Sequence, residues 1–275
     1  AADVGETAVR WDQGVGTAER LSRAKPLCWM HAPKTSSSIG NTIMRAGCPH
    51  GTFAEGQPIV KQSVLGAVRS SDFKNKCAAD FHSAYSSPPG HVGLGDVWED
   101  CRGHTVAMFR QPEQRLLSGW NFGAHSAVQA QSLAEYRDIV KGCQVKMIMR
   151  GGGNAYQPMT GPCGDPVPVT EAEVREAVRR VREDFVWVGL TERYAMSVCL
   201  WHATFGGECG ADEFTNSRAH GKGREKRGYT YVDHDIAALG GWKDEADGAL
   251  HAAVVERFEA ELRALDLDEE VCGAR

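Results

Sequence analysis

Short, nearly unbroken apolar runs alternate along this chain with longer stretches in which apolar residues recur at helical spacing. Leu27–Met30, Thr105–Phe109 and Phe185–Leu190 lack the alternation of a half-exposed strand, so they predict strands covered on both faces. Helical spacing predicts helices over 36–46, 112–124, 132–141, 171–184, 191–205 and 243–265. Ser132-x-x-Glu135 and Thr170-x-x-Glu173 read as capping boxes. Pro112 suits a first helical turn, Thr191 reads as an N-cap and Gly47 as a stop. Strands alternating with helices predict an α/β chain, a single domain with a mainly parallel central sheet flanked by helices. Ligands of such sheets bind beyond the carboxyl ends of the strands. The polar residues 1–24 read as an N-terminal extension that wraps the surface or is partly disordered, leaving 25–275 as the domain. The Gly- and Pro-rich stretch 151–169 reads as a long loop beside a substrate cleft.

A chain of 275 residues is long enough to bury a substantial core. Its net charge of −5, with no basic face or RNA-binding signature, argues against nucleic acid as a partner. No apolar run approaches the roughly 18 residues of a membrane span. The N-terminus lacks a signal-peptide pattern, and a start at Ala1 without Met is read as the loss of an anchor or targeting segment. Nine cysteines include no C-x-x-C and no paired Cys/His arrangement, so no metal is expected. Cys28 and Cys199 lie in apolar patterns and read as buried free thiols. Cys48, Cys77, Cys101, Cys143, Cys163 and Cys209 lie in or near loops and are the candidates for disulfides, with pairing and oxidation state left open.

Candidate chemistry concentrates after the first strand, where Leu27–Met30 is followed by His31-Ala-Pro-Lys34-Thr35-Ser36-Ser37-Ser38 and a helix. Strand, tight turn and helix start form an anion site: the first helical N–H groups lack intrahelical acceptors, and the dipole favours negative charge. Lys34 adds a full charge and Thr35 to Ser38 add hydroxyl donors. The Walker A pattern is absent, because Lys34 comes first, behind Pro33, with no glycines before it. In the second motif Arg110 stands at the carboxyl end of Thr105–Phe109, followed by Pro112, Arg115, Leu116, Leu117, Ser118 and Trp120.

The Pro-Lys-Thr turn and the Arg-x-Pro-x-x-Arg-Leu-Leu-Ser-x-aromatic pattern resemble the sulfotransferases that use 3′-phosphoadenosine 5′-phosphosulfate (PAPS), most closely the carbohydrate branch. The resemblance spans roughly residues 27–260 and includes Val188-Gly-x-Thr191-Glu192 and a last helix near Leu250–Phe258. It implies a P-loop-like sulfotransferase fold. It implies that Lys34, Thr35, Ser36, Ser37 and Ser38 hold the 5′-phosphosulfate, with Lys34 stabilising the leaving oxygen. It implies that Arg110 and Ser118 hold the 3′-phosphate, Arg115 being either a supporting or a surface residue. Glu192 is read as mostly structural. The basic stretch Asn216–Arg227 resembles a segment that closes over the nucleotide, which nominates Arg218 and Lys222. His82, in Ala79-Asp-Phe-His82-Ser-Ala-Tyr85, resembles the family's acceptor-facing histidine and is the candidate general base, with His50, His91, His125 and Glu55 as rivals. Two departures stand out: Ser36-Ser37 replaces the usual Gly-Gly, and Phe81 replaces a glycine.

The expected reaction is in-line transfer of a sulfuryl group from PAPS to a hydroxyl, or less favourably an amine, of a carbohydrate or hydroxylated small metabolite. The product is 3′,5′-bisphosphoadenosine, and no metal takes part. The alternatives are a small-molecule ATP-dependent kinase and a catalytically inactive nucleotide-binding module. The Golgi lumen, with the anchor removed, and the cytoplasm both remain open as compartments. Acceptor identity and oligomeric state are not readable.

Overall fold

The computed structural model describes residues 14–48, 80–82, 91–152, 161–214 and 232–273. Its centre is a small parallel sheet of three strands, β1 (Cys28–Met30), β2 (Thr105–Phe109) and β3 (Phe185–Leu190), in the order β1-β2-β3. Cys28 pairs with Thr105 and Met30 with Ala107, while Val106 to Phe109 pair with Trp187 to Leu190. Beyond β1, Phe81 makes one parallel bridge to Leu27. Every residue of the three strands is buried, as their unbroken apolar runs require.

The chain is mixed α/β and mostly helical. In order the helices are α1 (Thr17–Ala24), α2 (Gly40–Gly47), α3 (Trp98–Cys101), α4 (Pro112–Trp120), α5 (Leu133–Val140), α6 (Cys143–Met149), α7 (Glu171–Glu183), α8 (Tyr194–Phe205), α9 (Glu245–Ala264) and α10 (Glu269–Gly273). Two groups cover the sheet. Helix α8 lies on β3 and carries α1, α2 and α10. It is apolar nearly all round, which suits a helix packed on several sides. Helices α9 and α7 also pack on β3, with α6 against both. No described helix is long and apolar enough to cross a membrane.

Local signals set most boundaries. Thr170 and Glu173 close a full capping box on α7. Ser132 caps α5 through the Glu135 N–H, but the Glu135 carboxylate turns back to the Gln131 N–H instead of that of Ser132. Pro112 occupies the first turn of α4, capped by the Gln111 side chain.

Several expectations need correction. Of the N-terminal extension 1–24, residues 17–24 form α1, with Arg20 and Ala24 buried against the domain and most of the helix exposed, and residues 1–13 lie outside the described residues. The stretch before 151 contains α6, whose seven residues include a buried lysine that hid it from a pattern search. Lys146 Nζ donates to the carbonyls of Ile139 (3.0 Å) and Asp165 (2.6 Å). Burial lowers its pKa to about 8. Thr191 caps no helix: its hydroxyl donates to the Phe109 carbonyl at 3.0 Å, and α8 starts only at Tyr194. Cys28 and Cys199 are not free thiols. They are bonded to Cys101 and Cys272, and Cys143 is bonded to Cys163. Cys48 is also disulfide-bonded, while Cys209 is free. Apolar flanks predict burial, and burial is compatible with either oxidation state.

Candidate functional site

The carboxyl ends of β1 and β2 lie side by side, and the residues beyond them form the candidate site. After Met30 the chain turns through His31 to Ser36 and enters a 3-10 turn, Ser37–Ile39, that runs on into α2. Two non-glycine residues of this turn have left-handed backbones, Lys34 at φ 69° and Ser36 at φ 67°. Such conformations cost on the order of 1–3 kcal/mol each and persist only where surroundings enforce them. Ser36 stands where the resembling family has glycine, the residue that takes this geometry without cost. The Thr35 hydroxyl donates to the Ala32 carbonyl at 2.8 Å, so it closes the turn from within. Ser38 is buried, and Ser36 and Ser37 are half-buried at the mouth.

Lys34 leans on α4. A Cβ at Gly119 would lie 3.7 Å from the Lys34 Cγ, and the Lys34 Nζ stands 3.9 Å from the centre of the Phe122 ring. Arg110 reaches the same turn: its Nη1 lies 3.5 Å from the Lys34 carbonyl, and its Nη2 donates to the Val232 carbonyl at 2.8 Å. Ser118 is half-buried on α4, two turns past Arg110. The structure thus brings Arg110 to the turn that carries Lys34, Thr35, Ser36, Ser37 and Ser38, while Ser118 lies on α4 next to Gly119, the residue beside the Lys34 side chain. Arg218 and Lys222 lie outside the described residues, as do His50 and Glu55.

Buried polar groups hold this rim. The Gln144 side-chain amide pairs with both backbone groups of Arg110, each at 3.0 Å. The Asp247 carboxylate accepts the Gln144 and Val145 N–H groups at the start of α6 and lies 3.8 Å from the Arg115 Nε. Burial and the neighbouring Asp244 carboxylate hold the Asp247 carboxyl well above the usual range. Arg115 is therefore a supporting residue, almost fully buried, that also donates to the Val140 carbonyl at 3.2 Å. Glu192 is structural too, its carboxylate accepting the Gln111 N–H at the start of α4.

The structure does not bring His82 to this site. Its N–H donates to the Leu27 carbonyl at 3.0 Å, at the opposite, amino end of β1. Its Nε2 lies 3.6 Å from the Asp100 carboxylate, beside the Cys28–Cys101 disulfide. Two of its rivals stand near Lys34 instead. Phe122 stacks on His125 (centroids 5.8 Å apart), His125 meets His91 edge-on (5.1 Å), and His91 faces His31 (4.7 Å). The His91 Nδ1 bonds the His31 carbonyl at 2.8 Å. A carbonyl only accepts, so Nδ1 carries the proton and Nε2 is the basic nitrogen.

One residue escaped sequence reasoning altogether. Residues 232–235 form a strap over α4, where Gln114 bonds both the backbone N–H and the carbonyl of His234 (2.7 and 2.9 Å). Burial, with help from the positive charges of Arg110 and Lys34, lowers the His234 pKa against the opposing pull of Asp233. Nothing in the sequence pointed to it, because more than a hundred residues separate the strap from α4.

The chain matches no protein-family model, no curated protein and no solved structure.

Proposed function

We propose that this protein is a PAPS-dependent sulfotransferase of P-loop-like fold. It transfers the sulfuryl group to a hydroxyl of a carbohydrate or a hydroxylated small metabolite. The observation that carries the reading is the convergence of Lys34, on a strained turn that opens a helix, with Arg110 at the end of the adjacent parallel strand. Two cations at neighbouring strand ends suit a ligand with two separated anionic groups, which 3′-phosphoadenosine 5′-phosphosulfate is and a simple monophosphate is not.

In this reading the helix-start N–H groups and the hydroxyls of Ser36 to Ser38 cradle the 5′-phosphosulfate. Lys34 neutralises the charge that grows on the bridging oxygen as the S–O bond breaks. That is electrostatic stabilisation aimed at the transition state, as in phosphoryl transfer. Arg110 and Ser118 take the 3′-phosphate, and Arg218 and Lys222 close over it. The acceptor hydroxyl must enter from the side of the sulfur opposite the leaving oxygen and lose its proton there. His125, one aromatic ring away from Lys34, takes the role of base in preference to His82.

Calorimetry with 3′,5′-bisphosphoadenosine, in the absence of metal and with ADP as control, tests the reading. Wild type is expected to bind the bisphosphate and discriminate against ADP, and Arg110→Ala is expected to lose that preference. Equal binding of both nucleotides, or of neither, overturns it.

A further inference from the structure

The turn that ends α8 gathers three side chains of metal-binding type, none of them among the residues assigned to the nucleotide. The His202 Nε2 stands 2.9 Å from the Glu213 Oε2, and the Cys209 Sγ lies beside them. The three donor atoms lie within 4.8 Å of one another. Cys209 is the one cysteine among the described residues outside a disulfide. We propose that His202, Cys209 and Glu213 bind a zinc ion, with a fourth position open to water.

Donor chemistry favours this ion. A thiolate, an imidazole and a carboxylate form a borderline-soft set of the kind zinc takes with three protein ligands and one water. Zinc bonds of about 2.0–2.3 Å at tetrahedral angles require donor separations of about 3.3–3.8 Å. The His202–Glu213 separation of 2.9 Å and the 4.8 Å within which all three donors lie fall on either side of that range.

The surroundings are prepared as for a metal ligand. The His202 Nδ1 lies 3.0 Å from the Gly206 carbonyl, which orients the ring and leaves Nε2 to face the ion. The second Glu213 oxygen accepts the Gly210 N–H at 2.8 Å, and the Glu213 backbone carbonyl accepts the Tyr194 hydroxyl at 2.8 Å. Gly206 and Gly207, at φ 75° and 86°, turn the chain so that Cys209 comes back over His202. A Cβ at Gly207 would fall 3.7 Å from the His202 Nδ1.

A carboxylate and a thiolate offset the two charges of zinc, so no uncompensated charge is buried. Cys209 and Gly210 are partly exposed, which gives the ion a way in, whereas Glu213 is fully buried. Cys28, His82 and Cys101 also lie together, but their sulfurs are joined in a disulfide and offer no thiolate.

The site ties the end of α8 to the 3-10 turn Ala211–Phe214, and that turn packs on α2 and on Ser37–Ile39. Zinc at this point stiffens the support of the Lys34 turn, whatever that turn binds.

The test is a zinc titration of the full chain without reductant, with free metal buffered by a chromogenic chelator, and cobalt(II) titrated in parallel. The expected result is one zinc per chain and a thiolate-to-cobalt charge-transfer band. Cys209→Ser should lose the band and weaken zinc binding at least about tenfold, and Glu213→Gln should weaken it similarly. Absence of stoichiometric zinc, or a band that survives Cys209→Ser, overturns the proposal. Alkylation of Cys209 in folded wild type, read by peptide mass mapping, needs no variant. Zinc must protect the thiol, and failure to protect it overturns the proposal as well. None of these readouts depends on sulfuryl transfer.

Discussion

Strand β1 has three residues, yet its two ends are built in opposite ways. At the amino end everything is tied down. Cys28 is bonded to Cys101, the Leu27 N–H and carbonyl are bonded to Asp80 and His82, and His82 faces Asp100. At the carboxyl end the backbone is strained at Lys34 and Ser36, and two cations converge. A tied end gives the strained end a fixed support. Under the proposed function the ligand-touching residues sit at the strained end, and the base is sought there and not at His82.

The comparison breaks most visibly if the staple is removed. Cys28→Ser with Cys101→Ser releases a loop of 73 residues. Denaturant unfolding is expected to show a loss of about 2–5 kcal/mol, while bisphosphate affinity of the folded fraction stays the same. A collapse of affinity at constant fold would mean that the two ends are not separable. At the strained end the expectation is reversed. Lys34→Ala should lower turnover about 10²–10³-fold, the cost of losing one preorganised charge partner, with a melting temperature close to wild type.

A smaller effect sharpens how the flank of the site is held. Arg150 pins residues 165–168 and the Glu173 carboxylate, with Nε–Oε1 at 2.8 Å. Chiefly through that hydrogen bond, the Glu173 pKa is held at about 2. A depressed carboxyl contributes stability that is present above its unfolded value of about 4.3 and is lost as pH falls through the folded value. Melting temperature should therefore drop between pH 4.5 and 2, and Arg150→Met should flatten that part of the profile.

Smaller still is Ser36→Gly. Relief of the left-handed backbone opposes the extra chain entropy of glycine, and each is worth about 1 kcal/mol. A change in melting temperature of a degree or two fits this balance, while loss of the hydroxyl assigned to the 5′-phosphosulfate cradle should weaken bisphosphate binding about tenfold; unchanged affinity would remove Ser36 from the cradle. Smallest of all, His82→Ala should fall far short of the 10²–10⁴-fold loss of a general base, and His125→Ala should take that loss instead. The reverse outcome would return the base to the stapled end.

The sequence by itself determined the three described strands, six of the ten described helices to within four residues, the start of α4 at Pro112 and the order of the two cationic motifs. These depend on short-range physics: apolar runs, capping residues and the 3.6-residue period act between neighbours and can be read from neighbours. Helix α6 escaped because Lys146 is buried by contacts with Ile139 and Asp165, not by its own apolarity. Disulfide partners, the support of Arg110 by Gln144, the strap at His234, and the positions of His82 and His125 were decided only by the tertiary structure. Each depends on which distant segments meet. That is fixed by the packing of the whole core, and no local pattern encodes it.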